Sequence, residues 1–374
     1  MHPRNCCILA IVFEFKSHIP NESRMSLMSE VCFHPSGRFF AATYTEANEV
    51  RLYDAVSLQL MRTFENPEAG FDQPHGVVQT HKHMIVSMSH DRQRPSQLNV
   101  YRLDSDTAAP ANIFVTPFAE LREAHSLAFD NGRLLATYCE TTERTGTLVC
   151  YAFDDEAGRI TGVLDRRTQC FDNLGDAKGV SFFDASRRVV VSYNSFTRKP
   201  ESAPARTPIR SVMRILRRGG PQNLWQRVNA KLGITRPRDG RLTTDNGFVF
   251  FAISPEGKFS QEPERIVTRD FFCRYENVFC QGDLCLAADL INSEILVYDL
   301  AQDPGLENPI YRLPVSDGMP HGVKLSPDGT QMIVSTFSLE ISDDREVQWG
   351  QWLTPRQDKL LVFDVQQPRR AAAA

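Results

Sequence analysis

Six positions hold the residues best suited to chemistry. Ser29, His75, His125, Lys178, Glu276 and His321 each open a short apolar segment. The chain has 9 His, and three of them fall in this one set. Neutral imidazole is the commonest protein ligand of transition metals, so His75, His125 and His321 are candidate ligands of a divalent metal ion. A histidine titrating near neutrality also serves as a general acid or base. On that reading His75, His125, His321, Lys178 and Glu276 form a candidate catalytic group, with Lys178 neutralising charge on a substrate. The competing reading is structural: each imidazole ties the start of its segment to a neighbour by hydrogen bonds.

The elements that must position these residues form a repeat. Ser29-Glu30-Val31-Cys32-Phe33-His34-Pro35-Ser36-Gly37 parallels His321-Gly322-Val323-Lys324-Leu325-Ser326-Pro327-Asp328-Gly329. Each reads as a strand and a tight turn. A second apolar strand follows, and later a third ending in aromatic-Asp, as in Tyr53-Asp54 and Phe363-Asp364. The unit begins at 29, 75, 125, 178, 276 and 321, in steps of 46, 50, 53, 98 and 45. The double step contains a foreign stretch, 197–245, whose removal leaves 49. Short strands with turn signals recurring every ~40–50 residues indicate the four-stranded blades of an all-β propeller. Six blades fit the count; a degenerate seventh inside the insertion is the alternative. The last blade lacks its own fourth strand, and the apolar run 8–15 can supply it, closing the ring between the termini. In the alternative, the chain effectively starts at Met25 or Met28 and the first residues are unstructured.

Pro74-His75-Gly76, Pro320-His321-Gly322, Ser326-Pro327-Asp328-Gly329 and Val297-Tyr298-Asp299 resemble the blade motifs of the lactonase-like, YVTN-type β-propellers. The resemblance spans nearly the whole chain outside the insertion. It implies a propeller whose relatives include lactonases, lyases and many non-enzymatic scaffolds. Those lactonases usually have seven blades. Fold by itself does not specify activity.

Topology links the set of six to the longest loops. The first strand of a blade starts on one face and the second returns to it, so the loops after second strands emerge beside these residues. Those loops are 91–96, 139–146, 195–247 and 338–358. Elaboration of this kind collects on the functional face of a rigid scaffold. The ends of the second strands form another column, Tyr44, Ser89, Tyr138, Tyr193, Asp289 and Phe337. Its aromatics read mainly as packing.

The insertion 197–245 has 12 Lys/Arg and 3 Asp/Glu, a charge of +9, which leaves −13 on the rest of the chain. Ile209–Arg218 and Asn223–Leu232 read as basic amphipathic helices, the second with Trp225 on its apolar side. Three roles fit: an anionic membrane surface or acidic protein partner, a lid placing arginines over an anionic ligand, or packing on the propeller rim. No nucleic acid is expected as a partner, because the arginines lack an interleaved stacking series.

Exclusions narrow the rest. No apolar run reaches the ~18 residues of a membrane span; the longest, Cys6–Phe13, is ended by Glu14 and makes a poor signal peptide. The 9 Cys lack paired spacing, which points to a reducing compartment, the cytoplasm, with a peripheral membrane location if the insertion meets lipid. Cys280 and Cys285 flank a Gly-Asp turn and read as buried structural thiols. No phosphate loop, nucleophile elbow or His-Glu-x-x-His is present. The sequence therefore supports two functional classes. One is a hydrolase, lyase or isomerase acting on a small anionic or sugar-derived molecule in a central funnel. The other is a non-catalytic scaffold attached to a membrane or partner through its insertion.

Overall fold

The computed structural model describes residues 11–20, 28–45, 47–65, 73–88, 95–141, 146–168, 171, 174–194, 246–269, 273–290, 292–316, 318–337 and 358–366. They form 24 strands in six four-stranded antiparallel sheets, one per blade. Blade one holds β2 (Met28–Phe33), β3 (Phe39–Tyr44), β4 (Glu49–Asp54) and β5 (Leu60–Glu65). Blade two holds β6 (Pro74–Gln79), β7 (His83–Met88), β8 (Gln97–Arg102) and β9 (Asn112–Val115). Blade three holds β10 (Leu121–Asp130), β11 (Arg133–Thr141), β12 (Thr147–Asp154) and β13 (Arg159–Arg167). Blade four holds β14 (Asp176–Phe183), β15 (Arg188–Asn194), β16 (Asn246–Ala252) and β17 (Arg265–Arg269). Blade five holds β18 (Tyr275–Gln281), β19 (Leu284–Asp289), β20 (Glu294–Asp299) and β21 (Tyr311–Pro314). Blade six combines β22 (Met319–Leu325), β23 (Gln331–Phe337) and β24 (Lys359–Gln366) with β1 (Val12–Pro20).

The last sheet joins the two ends of the chain. β1 runs antiparallel to β24, from Val12 opposite Gln366 to Pro20 opposite Lys359. The strand expected at 8–15 is therefore displaced toward the C-terminus, and 8–10 lie outside the described residues. Pairing here removes two sheet edges that would otherwise be open to association. Phe15 packs edge-on against Phe363 at 5.7 Å, and Phe13 stacks on Tyr311 of blade five at 5.7 Å.

Burial follows strand position. The innermost β6 is buried at every residue, whereas the outermost β9 alternates half-buried and exposed. An inner strand is covered on both faces by neighbouring blades, so even its polar residues His75 and Gln79 are buried; an outer strand keeps the two-residue alternation. Apolar clusters fill the wedges between blades. One joins Met28, Val31 and Phe40 of blade one to Ile333, Leu360 and Val362 of blade six. Turns between first and second strands are short. Gly37 and Gly329 take φ of 71° and 70°, a left-handed conformation that favours glycine, and their N–H groups donate to His34 and Ser326 carbonyls at 2.8 Å.

The second-strand column needs one correction. Pairing with the third strands places Met88 and Thr336, not Ser89 and Phe337, in line with Tyr44, Tyr138, Tyr193 and Asp289. Tyr44 bonds Tyr53 at 2.6 Å, Tyr138 bonds Tyr151 at 2.7 Å and Tyr193 bonds Thr268 at 3.2 Å. Their hydroxyls are used within the blades. The insertion 197–245, with both expected helices and any seventh blade, lies outside the described residues, as do the loops 89–94, 142–145 and 338–357.

Candidate functional site

One irregularity recurs in every blade and sets the site. Pairing between first and second strands slips at Met28/Val31, Pro74/Val77, Ala124/Ser126, Ala177/Val180, Tyr275/Asn277 and Pro320/Val323. A bulge re-aims the side chain it contains, and those residues include Ser29, His75, His125, Lys178, Glu276 and His321. All six are 0–4% exposed. The next residue is Gly76, Gly179 or Gly322 in three blades. A Cβ on Gly76 would stand 2.9 Å from the His125 carbonyl oxygen, and one on Gly322 2.9 Å from that of Ser29. The His-Gly pair thus serves two needs: a bulged side chain toward the axis, and a backbone bare enough for the next blade to close on it.

A hydroxyl on the second strand bridges these joints in most blades. Ser87 Oγ accepts from the Gly76 N–H at 2.7 Å and donates to the Ala124 carbonyl of blade three at 2.7 Å. Ser335 does the same between Gly322, at 2.8 Å, and Ser29, at 2.6 Å. Thr43 links Glu30 to His75, and Thr137 links Ser126 to Lys178. Sequence reasoning missed this column, although a Ser or Thr recurs at 43, 87, 137, 192 and 335 on the second strands.

The three histidines meet. Ring centroids are 4.1 Å apart for His75 and His125, 5.1 Å for His75 and His321, and 5.4 Å for His125 and His321. One ligand atom from each lies within 4.8 Å of the others. His75 Nδ1 donates to the His125 carbonyl and His321 Nδ1 to the Ser29 carbonyl, both at 2.8 Å. These bonds tie adjacent blades, as the structural reading anticipated. They also fix the tautomer that leaves Nε2 with a lone pair, the orientation usual in metal-bound histidine.

Glu276 joins the group. Its Oε2 lies 3.3 Å from His125 Nε2, 3.7 Å from Lys178 Nζ and 3.9 Å from His321 Nε2. Its Oε1 accepts from Arg274 Nε. Arg274 was not anticipated; it sits two residues before Glu276 and is 6% exposed. Burial favours a neutral carboxyl on Glu276, but the Arg274 and Lys178 cations hold it well below the usual carboxylate range. Burial likewise works against charge on Lys178, and Cys139, Glu276 and Asp176 more than offset it. Burial lowers all three histidines. His75 falls to about 4 and His321 to about 3, while His125, also beside Lys178 and His75, falls well below its ordinary value. At neutral pH the site is therefore three neutral imidazoles, one carboxylate and two cations.

Three buried atoms of His125 and Glu276 are left over. Neither ring nitrogen of His125 has a hydrogen-bond partner, and neither has Glu276 Oε2. His125 Nε2 and Glu276 Oε2 lie 3.3 Å apart. Directly beyond the site, Asn277 Nδ2 donates to Glu30 Oε1 at 2.6 Å. Burial pushes Glu30 up to about 7, although Lys324 opposes the shift. Glu30 immediately follows Ser29 and was also passed over in the sequence.

No protein-family model matches the chain, and no curated protein matches it. Its structure resembles hydrazine synthase of Kuenenia stuttgartiensis, with a TM-score of 0.53 and 13% identity over 83% of this chain and 80% of that one. It also resembles a luciferin-regenerating enzyme, with a TM-score of 0.55 and 9% identity over 95% of each chain. At such identities the likeness is one of fold. It matches the resemblance to lactonase-like propellers at the level of a β-propeller and carries no activity across.

Proposed function

We propose that the protein binds a divalent transition-metal ion on the propeller axis and there converts a small anionic or sugar-derived molecule by hydrolase-, lyase- or isomerase-type chemistry. The observation that carries this reading is the pair of buried, unsatisfied atoms His125 Nε2 and Glu276 Oε2 at 3.3 Å. Buried polar atoms nearly always find partners. Two ligands ~2.0–2.1 Å from one tetrahedral ion stand about 3.3–3.4 Å apart. His75 and His321 offer further nitrogens from other blades. Neutral imidazoles bind an ion without first losing a proton.

Each residue has a role on this reading. His75, His125 and His321 hold the ion and Glu276 completes the set. Lys178 and Arg274 weaken metal affinity by repulsion, and the same charges attract an anionic substrate. An ion held by these residues would supply Lewis-acid chemistry to the substrate. The histidines, lowered by burial, His75 to about 4, His321 to about 3 and His125 well below its ordinary value, are poorly matched to general-base work at pH 7; this favours them as ligands.

Metal analysis tests the proposal. Purified protein, stripped and then dialysed against Zn2+ or Co2+, should hold about one equivalent, and the cobalt form should show the visible absorption of a four-coordinate nitrogen–oxygen site. His125→Asn should bind well below that. A folded wild-type protein that retains no metal under these conditions overturns the reading.

A further inference from the structure

The opposite end of the channel carries a second site, independent of the metal reading. A cavity of ≈ 590 Å³ lies there, within the ~300–1,000 Å³ range of small-ligand pockets. Each blade gives it one residue from the far end of its first strand: Cys32, Val78, Ala128, Ser181, Phe279 and Lys324. These lie three positions beyond Ser29, His75, His125, Lys178, Glu276 and His321, so the cavity is on the axis but beside the short turns. The sequence pointed only to the long-loop face. Phe129 and Phe182 add two further aromatic walls.

Two of the polar side chains that line it, Lys324 and Gln79, are buried. Lys324 is the single cation lining it and is 6% exposed. Lys324 Nζ lies 4.8 Å from the Phe279 centroid; the buried Glu30 carboxyl is within electrostatic reach of it, and among the described residues no carboxylate is in direct ion-pair contact with it. Gln79 is 4% exposed; its Nε2 donates to the Cys32 carbonyl at 2.7 Å, while its Oε1 has no partner. At the rim, Asp130 and Asp184 are paired with Arg133 and Arg187 at 2.8 Å, and Asp283 also lines the mouth.

We propose that this cavity binds a small planar aromatic anion that also carries a hydrogen-bond donor. The phenylalanine faces and edges fit a flat ring system. The Lys324 side chain is itself buried, and a charged hydrogen bond from its ammonium to the anion is stronger than a neutral one. Gln79 Oε1, an orphan buried acceptor on a residue that lines the cavity, gains a partner from any ligand N–H or O–H that reaches it.

Anilinonaphthalene sulfonate has these three features and serves as the probe, with no metal added. Its neutral counterpart phenylnaphthylamine lacks the sulfonate. Wild-type protein should bind one equivalent of the sulfonate. Lys324→Met should weaken that binding about tenfold or more and leave phenylnaphthylamine within about twofold, while Lys324→Arg should retain it. A photoactivatable azide of the same dye should label wild-type peptides bearing Phe129, Phe182 or Phe279, a readout that does not depend on any variant folding. Labelling confined to the basic insertion, or equal loss of both dyes in a folded Lys324→Met protein, overturns the assignment.

Discussion

His125 Nε2 stands 3.3 Å from Glu276 Oε2, with both side chains 1% exposed and neither atom hydrogen-bonded. Blades three and five meet here across the axis. Glu276 is the only carboxylate among the six bulge residues, and it stands between Lys178 and Arg274. Removing one charge from a buried network leaves its partners uncompensated, at about 3–5 kcal/mol. Glu276→Gln, nearly identical in shape, should lower unfolding free energy by that order in a urea titration. An unchanged midpoint would mean that other carboxylates neutralise Lys178 and Arg274.

Glu30 sets a pH dependence with a definite sign. Burial raises it from 4.5 to about 7 in the folded protein. The native state then holds a proton that the unfolded chain has released. Stability from this group is present below about pH 4.5 and is lost as pH rises through 7. Removing the carboxylate should therefore help at high pH. Glu30→Gln should match wild type near pH 5 and exceed it near pH 8 by on the order of 3 kcal/mol. A variant less stable than wild type at pH 8 would show that Glu30 is ionised in place and needed there, as the partner of Lys324 and Asn277.

The close approach at Gly76 predicts a local packing cost. A Cβ there would lie 2.9 Å from Ser87 Oγ and from the His125 carbonyl oxygen, and 3.1 Å from Ser126 Cα. Two of those three atoms are backbone and cannot rotate away. Gly76→Ala should cost about 1–3 kcal/mol, the usual price of overpacking. It should also weaken metal uptake, because His75 is its neighbour. Gly282→Gln makes an unsuitable control, since Gly282 has φ of 59°; Gly162→Ala, with open space around its Cβ position, should be nearly neutral. Equal stability of the Gly76 and Gly162 variants would rule out the joint.

Much of this was legible because a propeller repeats. One register error would have scattered the six bulge positions, yet the hydrophobic residue two places on, Val180 after Lys178 and Val278 after Glu276, kept them aligned through a 98-residue step. Arg274 and Glu30 were not legible in that way. Neither falls on the repeated column, and each is recognisable only once Glu276 and Lys324 are known to lie beside it. The cavity escaped for a different reason. Its walls are ordinary strand residues such as Val78 and Phe279, and only the coming together of six strand ends turns them into a lining.

The cysteine pair in blade five should be oxidisable. Gly282 and Asp283 form a two-residue turn closed by Gln281 opposite Leu284, so Cys280 and Cys285 form the next cross-strand pair. In such a hairpin that pair is the non-hydrogen-bonded one, where side chains stand closest. The Sγ atoms are 2.9 Å apart. Hydrogen peroxide, reduced to water as it takes two electrons and two protons from the thiols, should leave a disulfide. Mass spectrometry of the peptide containing both should show a loss of two hydrogens, absent in Cys285→Ser. Burial raises the Cys285 thiol well above its ordinary value, so the reaction should be slow at neutral pH. If Cys280 instead proceeds to sulfinic acid with Cys285 untouched, the two sulfurs do not meet.

The insertion 197–245 should bring the protein to anionic surfaces. Its 12 cations against 3 anions sit on a chain otherwise at −13, but charges farther away than the ~8 Å Debye length at physiological salt do not cancel them. Each cation close to an anionic bilayer contributes up to ~1 kcal/mol, and Trp225 and Leu224 add apolar burial on one face of the expected helix. The insertion joins the adjacent strands β15 and β16, which end and begin at Asn194 and Asn246, so its ends are close and its removal leaves a short gap to bridge. Replacing it with a Gly/Ser linker should preserve cooperative unfolding and abolish sedimentation with phosphatidylserine vesicles. In the intact protein, binding should fall steeply with added salt and more modestly with Trp225→Ala. If the intact protein ignores these vesicles at low salt, the arginines serve the channel or a protein partner instead.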